Sequence, residues 1–179
     1  MNRKSFLTGL LIGVVALTVV FVPIYIQITC MQCINPTTRY YTIPASAWLP
    51  SHETYDFYRW LNYLSTSTAG STSWFAAVNL PHGAVVTELT AWVYDNDAAD
   101  ITVILYSITD WGGIADMVSA VSSGASTSRR SISNSTTIVF STIDNLNKAY
   151  LLWGVMTSGN SNHRLSKVRI TYTIDEPLP

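Results

Sequence analysis

The chain has 179 residues, of which 48% are hydrophobic and 12% are charged, and its formal net charge is −1. This near-neutral charge argues against a nucleic-acid partner, because phosphate binding needs a surplus of Lys and Arg on one face. An aromatic content of 12% argues against intrinsic disorder, and two cysteines cannot build a disulfide framework or a four-cysteine zinc site. The length fits one domain or slightly more.

An uncharged apolar segment, residues 6–29, follows Arg3 and Lys4. As a helix that rises about 1.5 Å per residue, it is long enough to cross a bilayer core of about 30 Å. The positive-inside rule keeps residues 1–5 as a cytoplasmic stub and places the C-terminal part of the chain outside. We therefore predict a single-pass signal anchor in the cell membrane. Secretion after signal cleavage is the main alternative, since Pro23 also fits a processing region, and a buried core helix is the third.

Cys30 and Cys33 form a CxxC pair directly after the apolar segment. No βαβ pattern follows, as a thioredoxin-type redox site requires, and the histidines are scattered without the ligand spacing of a zinc site. We predict a local or intermolecular disulfide for these cysteines. Unpaired or lipidated thiols and redox or metal chemistry are the other interpretations. Residues 30–50 are predicted to form an extended stalk, which leads to a β-sandwich domain at 51–179.

From about residue 36 the hydrophobic period changes to two, which is typical of strands with one buried face. The segment 55–64 is ambiguous, because its apolar residues fit helical spacing equally well. The Ser-rich stretch 122–137 is predicted to be a long loop. Short strands at this spacing predict an all-β, antiparallel sandwich of Greek-key or jelly-roll type, preceded by the transmembrane helix. The candidate strands are 39–43, 55–64, 74–80, 88–93, 101–105, 117–121, 136–140, 150–156 and 168–174.

Asp95, Asp97 and Asp100 lie in one predicted loop after the strand 88–93. Clustered carboxylate oxygens suit hard cations, so a calcium site is one interpretation of this loop. An Asx-rich connection between strands is the other, because the loop lacks the Gly and the terminal Glu of an EF-hand. Apart from calcium at this loop, we expect no cofactor.

The sequence carries no pattern that indicates catalysis. No spacing pairs two carboxylates as glycoside hydrolysis requires, and no Gly-x-Ser-x-Gly elbow is present. We therefore predict that the chain is not an enzyme, and a cell-envelope hydrolase is the least favoured interpretation.

The six tryptophans and ten tyrosines exceed what one sandwich core needs. Flat aromatic side chains stack on sugar rings and anchor protein interfaces. Trp92 shares a strand face with Glu88, and Trp111 stands beside two glycines on a predicted loop. Trp92, Trp111 and Tyr94 are therefore the candidate ligand-binding residues, with ordinary packing as the alternative for each.

Several segments resemble a pattern in uncharacterised exported bacterial β-sandwich proteins. The resemblance covers roughly residues 40–174 and implies a secreted β-sandwich, and it implies no activity. Many members of that group begin with a plain signal peptide, so the long apolar segment of this chain is a departure that favours anchoring. The segments that carry the resemblance are 40–48, 78–89, 93–96, 143–145 with 149–150, and 168–173.

Together these observations predict a non-catalytic recognition module outside the membrane, with residues 6–29 in the lipid. Its ligand is predicted to be a carbohydrate or a surface protein, and no nucleic acid. A structural or self-assembling cell-surface protein is the alternative, because sheet edges and aromatic patches also contact identical neighbours.

Overall fold

A computed structural model describes residues 34–55, 57–67, 70–159 and 161–177. The chain divides into two compact units, of which Thr37–Ile174 contains the hydrophobic core described below. The other unit comprises Met1–Pro36 and Asp175–Pro179, and most of it lies outside the described residues. The predicted transmembrane segment 6–29 and the predicted Cys30–Cys33 disulfide lie outside the described residues as well.

No helix among the described residues has the length and hydropathy needed to span a membrane.

The described residues form eleven strands and one short 3-10 helix, Ala45–Ala47. The ambiguous segment 55–64 contributes strands and no helix. The strands are β1 Ile34–Pro44, β2 Leu49–Pro50, β3 Phe57–Arg59, β4 Leu64–Thr66, β5 Thr72–Val78, β6 Val85–Asp95, β7 Thr102–Thr109, β8 Ile114–Val121, β9 Ser126–Asn134, β10 Lys148–Met156 and β11 His163–Pro177.

The strands form two sheets that pack as a sandwich. The six-stranded sheet has the order β3-β4-β11-β6-β9, with β1 also paired to β11, and the five-stranded sheet has the order β2-β5-β10-β7-β8. Eight of these strands, β4 to β11, form the two rows β4-β11-β6-β9 and β5-β10-β7-β8. Along the chain they pair from the ends toward the middle: β4 with β11, β5 with β10, β6 with β9 and β7 with β8. This order is a jelly roll, and it confirms the predicted antiparallel sandwich.

Period-two alternation explains which side of each sheet is buried. In β5 the residues Thr72, Trp74, Ala76 and Val78 point into the core, and the residues between them point outward. The central strand β10 is apolar at nearly every position, as the sequence of Tyr150 to Met156 shows. Such a continuous apolar run indicates a strand that presents apolar side chains on both faces of its sheet.

The core between the sheets is large and includes two tryptophans, Trp48 and Trp74. The ring of Trp48 packs against β10 at Gly154, where an added Cβ would lie 3.2 Å from Cζ3 of the indole. The glycine therefore makes room for the ring. The largest fully buried side chains are Trp48, Trp74, Leu64, Leu89, Ile101, Leu105, Met117, Ile143, Leu152, Met156, Leu165 and Ile170.

The predicted stalk at 30–50 is wrong from Ile34 onward. Residues 34–44 form β1 in the six-stranded sheet, and β2 pairs with β5 in the other sheet. Ile43, Ala45 and Trp48 belong to the core, so the domain boundary predicted at residue 51 is also wrong. The prolines and the weak alternation of this segment conceal its strands, which are largely exposed and are defined by their pairing with β11 and β5.

Two predictions in the Ser-rich region are also wrong. The loop predicted at 122–137 contains the edge strand β9, whose inward positions include one buried hydrophobic side chain, Ile132, so that apolar alternation is absent. The strand predicted at 136–140 does not form. The Asn134 side chain accepts hydrogen bonds from the backbone N–H groups of Thr136 and Thr137, at 3.0 and 3.2 Å, and this Asx turn ends β9.

Candidate functional site

The outer face of the six-stranded sheet carries ordered rows of polar, cationic and aromatic side chains. On β11, β6 and β9, outward residues lie opposite one another in the strand register. Because neighbouring strands are about 4.8 Å apart, each row brings three side chains within reach of one ligand. We call this surface the cationic face. Its rows are Arg164–Tyr94–Arg129, Lys167–Trp92–Ser131 and Arg169–Thr90–Ser133.

A β-bulge at Ser166 interrupts the pairing of β11 with β6. Leu165 is paired with Val93 and buried in the core, and Lys167 is paired with Trp92 and exposed, so one extra residue is inserted between them. The bulge places Ser166 and Lys167 next to a depression of about 400 Å³ on the cationic face. The depression is lined by Trp92, Val93, Arg129, Arg130, Ser131, Ser166 and Lys167.

The indole of Trp92 is contacted by two cations. Nζ of Lys167 lies 4.3 Å from the ring centroid, and the guanidinium carbon of Arg169 lies 5.2 Å from it. The same guanidinium also lies 5.2 Å from the ring of Tyr40 on β1. Cation–π contacts at exposed sites are each worth about 0.5–1 kcal/mol, so the exposed Lys167 can be displaced from the ring by a ligand at small cost.

The guanidinium of Arg164 lies close to two tyrosine rings, at 5.0 Å from Tyr63 and 4.8 Å from Tyr94. Its Nε donates a hydrogen bond to the carbonyl oxygen of Ser161 at 3.0 Å, which fixes the side chain. Tyr63 in turn stacks on Trp60, with centroids 6.2 Å apart. The aromatic character of the cationic face therefore extends to the β3–β4 connection.

Positive charge on this face is poorly neutralised. Glu88 pairs with Arg169 at 3.8 Å and accepts a hydrogen bond from the Thr171 hydroxyl at 3.3 Å. Arg129, Arg164 and Lys167 have no carboxylate within 4.0 Å among the described residues. The near-neutral total charge of the chain thus conceals a local excess of cations that composition could not show.

Two polar atoms on the same face are buried without a hydrogen-bond partner in the described part of the chain. They are the hydroxyl of Thr90 and Nε of Arg169, whose residues are opposite one another in the register. Thr90 is only 4% exposed. Buried polar atoms are normally satisfied, so this pair is an exception in the row next to Trp92.

The structure brings two of the three predicted ligand-binding residues together. Trp92 and Tyr94 lie in neighbouring rows of the cationic face, whereas Trp111 lies in the β7–β8 turn of the other sheet and is 99% exposed. Sequence reasoning missed Arg129, Arg164 and Lys167. A signal for the bulge was present, because the buried positions of β11 change from odd numbers to even numbers between residues 165 and 168.

The carboxylates of the predicted calcium loop bind other groups of the protein. Asp95 is fully buried and binds Arg130 at 3.2 Å and His163 at 3.0 Å. Asp97 accepts hydrogen bonds from the Ala99 N–H and, at 2.7 Å, from the Ser158 hydroxyl, and these bonds lower the pKa of its carboxyl group below the ordinary 3.8.

Asp100, the third carboxylate of that loop, accepts a hydrogen bond from the backbone N–H of Gly124 at 3.2 Å. Within the ranges that the structure describes, no three His, Cys, Asp or Glu side chains are grouped so as to hold a metal ion. The carboxylates of Asp95, Asp97 and Asp100 thus each bind groups of the protein, and the calcium site stays a prediction.

Ser158, His163 and Asp95 are close together but cannot act as a catalytic triad. Nδ1 of His163 accepts hydrogen bonds from the backbone N–H groups of Thr157 and Ser158, so the proton is on Nε2, which donates to the Ala99 carbonyl at 2.8 Å. The Ser158 hydroxyl donates to Asp97 and not to the imidazole. The cluster holds two loops together at one end of the sandwich.

The outer face of the five-stranded sheet has the opposite character. Most outward positions of β5, β10 and β7 are apolar or aromatic, with Ser73 and Thr102 as polar exceptions, and we call this surface the apolar face. Two open depressions of about 330 and 190 Å³ lie on it, and burial together with the nearby Asp116 carboxylate raises the pKa of Tyr106. Its outward side chains include Leu49, Phe75, Ala77, Ile104, Tyr106, Ile108, Ala149, Leu151, Trp153 and Val155.

No protein-family model matches the chain, and no curated protein matches its sequence. Three solved structures illustrate what the fold is similar to. A xylan-binding CBM22 domain from Paenibacillus barcinonensis is 10% identical, with a TM-score of 0.46, and the match covers 76% of this chain and 98% of that domain. The C-terminal CBM6 domain of a marine laminarinase from Zobellia galactanivorans is 12% identical, with a TM-score of 0.47 and coverage of 74% and 99%. A CBM6 module from Clostridium stercorarium in complex with cellobiose is 12% identical, with a TM-score of 0.41 and coverage of 76% and 93%.

Proposed function

We propose that the sandwich is a non-catalytic carbohydrate-binding module that holds its ligand on the cationic face, in the depression at Ser166. The observation that carries this proposal is the composition of the depression. It combines an aromatic ring, Trp92, with the hydroxyls of Ser131 and Ser166 and the cations Arg129 and Lys167. Sugars present apolar ring faces that pack on aromatic side chains and hydroxyls that bond to polar ones.

The position of these groups on paired strands also supports recognition. A site built on strands is held more precisely than one built on loops, which lowers the entropy lost on binding. Trp92 and Tyr94 are two residues apart on β6, in the centre of the β11-β6-β9 surface. A sugar chain lying along β6 would contact both rings.

The test is a glycan array of neutral and acidic oligosaccharides, followed by calorimetry on any ligand found. The full-length chain is used, in a detergent without a sugar headgroup. Trp92→Ala is expected to weaken binding by at least about 2 kcal/mol, roughly a factor of 30. Trp153→Ala removes an indole from the apolar face and is the matched control, with folding of both variants checked by thermal unfolding. Binding that survives Trp92→Ala, or the absence of any glycan ligand, would contradict the proposal.

We also propose that residues 6–29 anchor this module in the cell membrane, with the sandwich outside. The support is the length of the uncharged segment and the position of Arg3 and Lys4 before it. Mass spectrometry of the mature protein from membranes is expected to find residues 1–29 still attached. An N-terminus near residue 30 would instead indicate secretion after cleavage.

A second candidate function is self-assembly, which the apolar face favours. Contiguous exposed apolar surface marks interaction sites, and a face that carries mostly apolar and aromatic side chains suits contact with an identical copy. Leu151→Lys would place a charge at the centre of that face, and Ser131→Lys places one on the cationic face as the control. Sedimentation velocity, at a density that matches the detergent, is expected to show an oligomer lost only in Leu151→Lys. A monomeric wild type would rule this function out.

A further inference from the structure

We infer, on the premise of the proposed function, that the ligand is an anionic carbohydrate whose carboxylate or sulfate groups pair with Arg129, Arg164 and Lys167. The proposal concerns the chemical class of the ligand for the depression at Ser166. It rests on the distribution of charge, on the spacing of the three cations and on the polar atoms beside them.

The distribution of charge is uneven. Apart from Arg3 and Lys4, the chain has eight basic residues against eleven acidic residues. Four of these eight, Arg129, Arg164, Lys167 and Arg169, lie on the one surface formed by β9, β6 and β11. That surface carries Glu88 as its carboxylate, and Glu88 is paired with Arg169. The other three cations repel one another until an anion binds between them.

The spacing of the three cations suits a short anionic oligomer. Arg129 and Arg164 lie on either side of Tyr94 in one row, so their Cα atoms are two strand spacings, or about 10 Å, apart. Lys167 lies in the next row, at the edge of the depression. Two or three anionic groups on neighbouring sugars therefore meet cations, whereas a neutral glycan would leave all three charges unpaired.

The groups beside the cations favour a ligand that also carries hydroxyls. Ser131 and Ser166 line the depression, and the unpartnered Thr90 hydroxyl and Arg169 Nε lie in the adjoining row. Nucleic acid fits less well, because its affinity comes from many phosphate contacts made at once, and this face offers three unpaired cations. An anionic membrane surface is flat and does not enter a depression between strands.

The experiment compares polymers that differ only in charge. The full-length chain is titrated with polygalacturonate and its methyl ester, and with dextran sulfate and dextran, at low and at physiological salt. The charged member of at least one pair is expected to bind about tenfold more tightly than its neutral partner, with affinity that falls as salt rises. The first pair reports carboxylate recognition and the second reports sulfate recognition.

Two variants localise the effect. The double variant Arg129→Gln with Lys167→Gln is expected to lower the affinity for the charged polymer about tenfold. Lys148→Gln removes a cation that lies over Phe140, away from the cationic face, and is expected to leave the affinity unchanged.

The outcomes distinguish a failure of the anionic-ligand inference from a failure of the proposed carbohydrate-binding function. Equal binding of charged and neutral partners, lost in Trp92→Ala, would overturn the inference and leave the proposed carbohydrate-binding function standing. Absence of binding to both charged polymers would overturn the inference, and absence of any glycan ligand would overturn the function as well. The inference would also fail if single-stranded DNA or phosphatidylglycerol vesicles bound as tightly as the charged polymer, or if the double variant bound like the wild type.

Discussion

The cationic face and the apolar face are the two outer surfaces of one sandwich, and they differ in almost every outward position. On β6 and β11 the outward residues are aromatic, cationic or hydroxylic, such as Trp92 and Lys167. On β10 the outward residues Leu151 and Trp153 are as apolar as the inward ones. The inward positions of both sheets are similar, so the core determines the fold and the outward positions determine what each face can bind.

The two faces also differ in regularity. The five-stranded sheet has continuous register along β10, with both β5 and β7. The six-stranded sheet has a bulge at Ser166 between β11 and β6, and the depression lies there. The comparison indicates that the bulge at Ser166, one of three register shifts in the pairing of β6 with β11 and β9, creates the concave site.

The largest loss of stability is expected from a substitution in the core, on which both faces rest. Trp48→Ala is expected to lower the free energy of unfolding by about 3–5 kcal/mol, because it empties a fully buried indole site. Trp111→Ala, in the exposed turn, should change it by no more than about 0.5 kcal/mol. Chemical denaturation measures both. A tolerated Trp48→Ala would contradict the assignment of this segment to the sandwich.

A smaller loss in the free energy of unfolding is expected when a side chain is added at Gly154, on the inward side of β10. Gly154→Ala brings a Cβ to 3.2 Å from Trp48, and such overpacking costs about 1–3 kcal/mol. The outward side chains of the apolar face are not changed. Combining Gly154→Ala with Trp48→Phe should cost less than the sum of the two single changes, because the residues are in contact. Strict additivity in denaturation experiments would show that they do not interact.

Deleting Ser166 is expected to remove the bulge, so that the pairing of β11 with β6 becomes as regular there as the pairing along β10. The deletion restores regular pairing and keeps Lys167 opposite Trp92, so the depression is flattened while the cations remain. Carbohydrate affinity measured by calorimetry is expected to fall about tenfold, with a single cooperative unfolding transition retained. Ser166→Ala keeps the bulge and should lose much less affinity. Equal losses in both variants would assign the role to the hydroxyl and not to the backbone.

The smallest effect concerns the loop after β6, where the cationic face ends. The pKa of Asp97 is lowered in the folded state, so its carboxylate stabilises the fold above its unfolded pKa near 3.8, and this contribution is lost as pH falls through the folded pKa. Asp97→Asn should therefore show a flatter dependence of stability on pH below about pH 4 than the wild type does. Asp110→Asn, in the β7–β8 turn, is the control. Identical acid unfolding curves for Asp97→Asn and wild type would contradict the assignment.

Sequence alone predicted the fold class because alternation is a local property. The segments 88–93, 150–156 and 168–174 fall within β6, β10 and β11, and the segment 101–105 overlaps the start of β7. Strand β9 was missed, because Ile132 is the one hydrophobic residue in this edge strand, so its inward positions do not alternate with polar ones. The 30–50 region was assigned to a stalk because its strands are defined by pairing with β11 and β5, which are distant in the sequence.

The cationic face could not be predicted in the same way. Trp92 and Tyr94 were chosen by residue type, but the residues that flank them, Arg129 and Arg164, come from other strands and meet through register alone. A sequence without known pairing does not show which cations share a surface. Leu165 and Val168 are out of phase with a period of two, which is the pattern that a bulge between them produces.

The strand order has a consequence for how the domain is made. The last strand of the sandwich, β11, lies between β4 and β6, so its two neighbours stay unpaired at those edges until the end of the domain has been synthesised. Contacts between residues so far apart in the chain slow folding. Meanwhile β10 is a long apolar segment with high aggregation tendency. A newly made copy therefore exposes β10 and two unpaired strand edges until β11 closes the sheet.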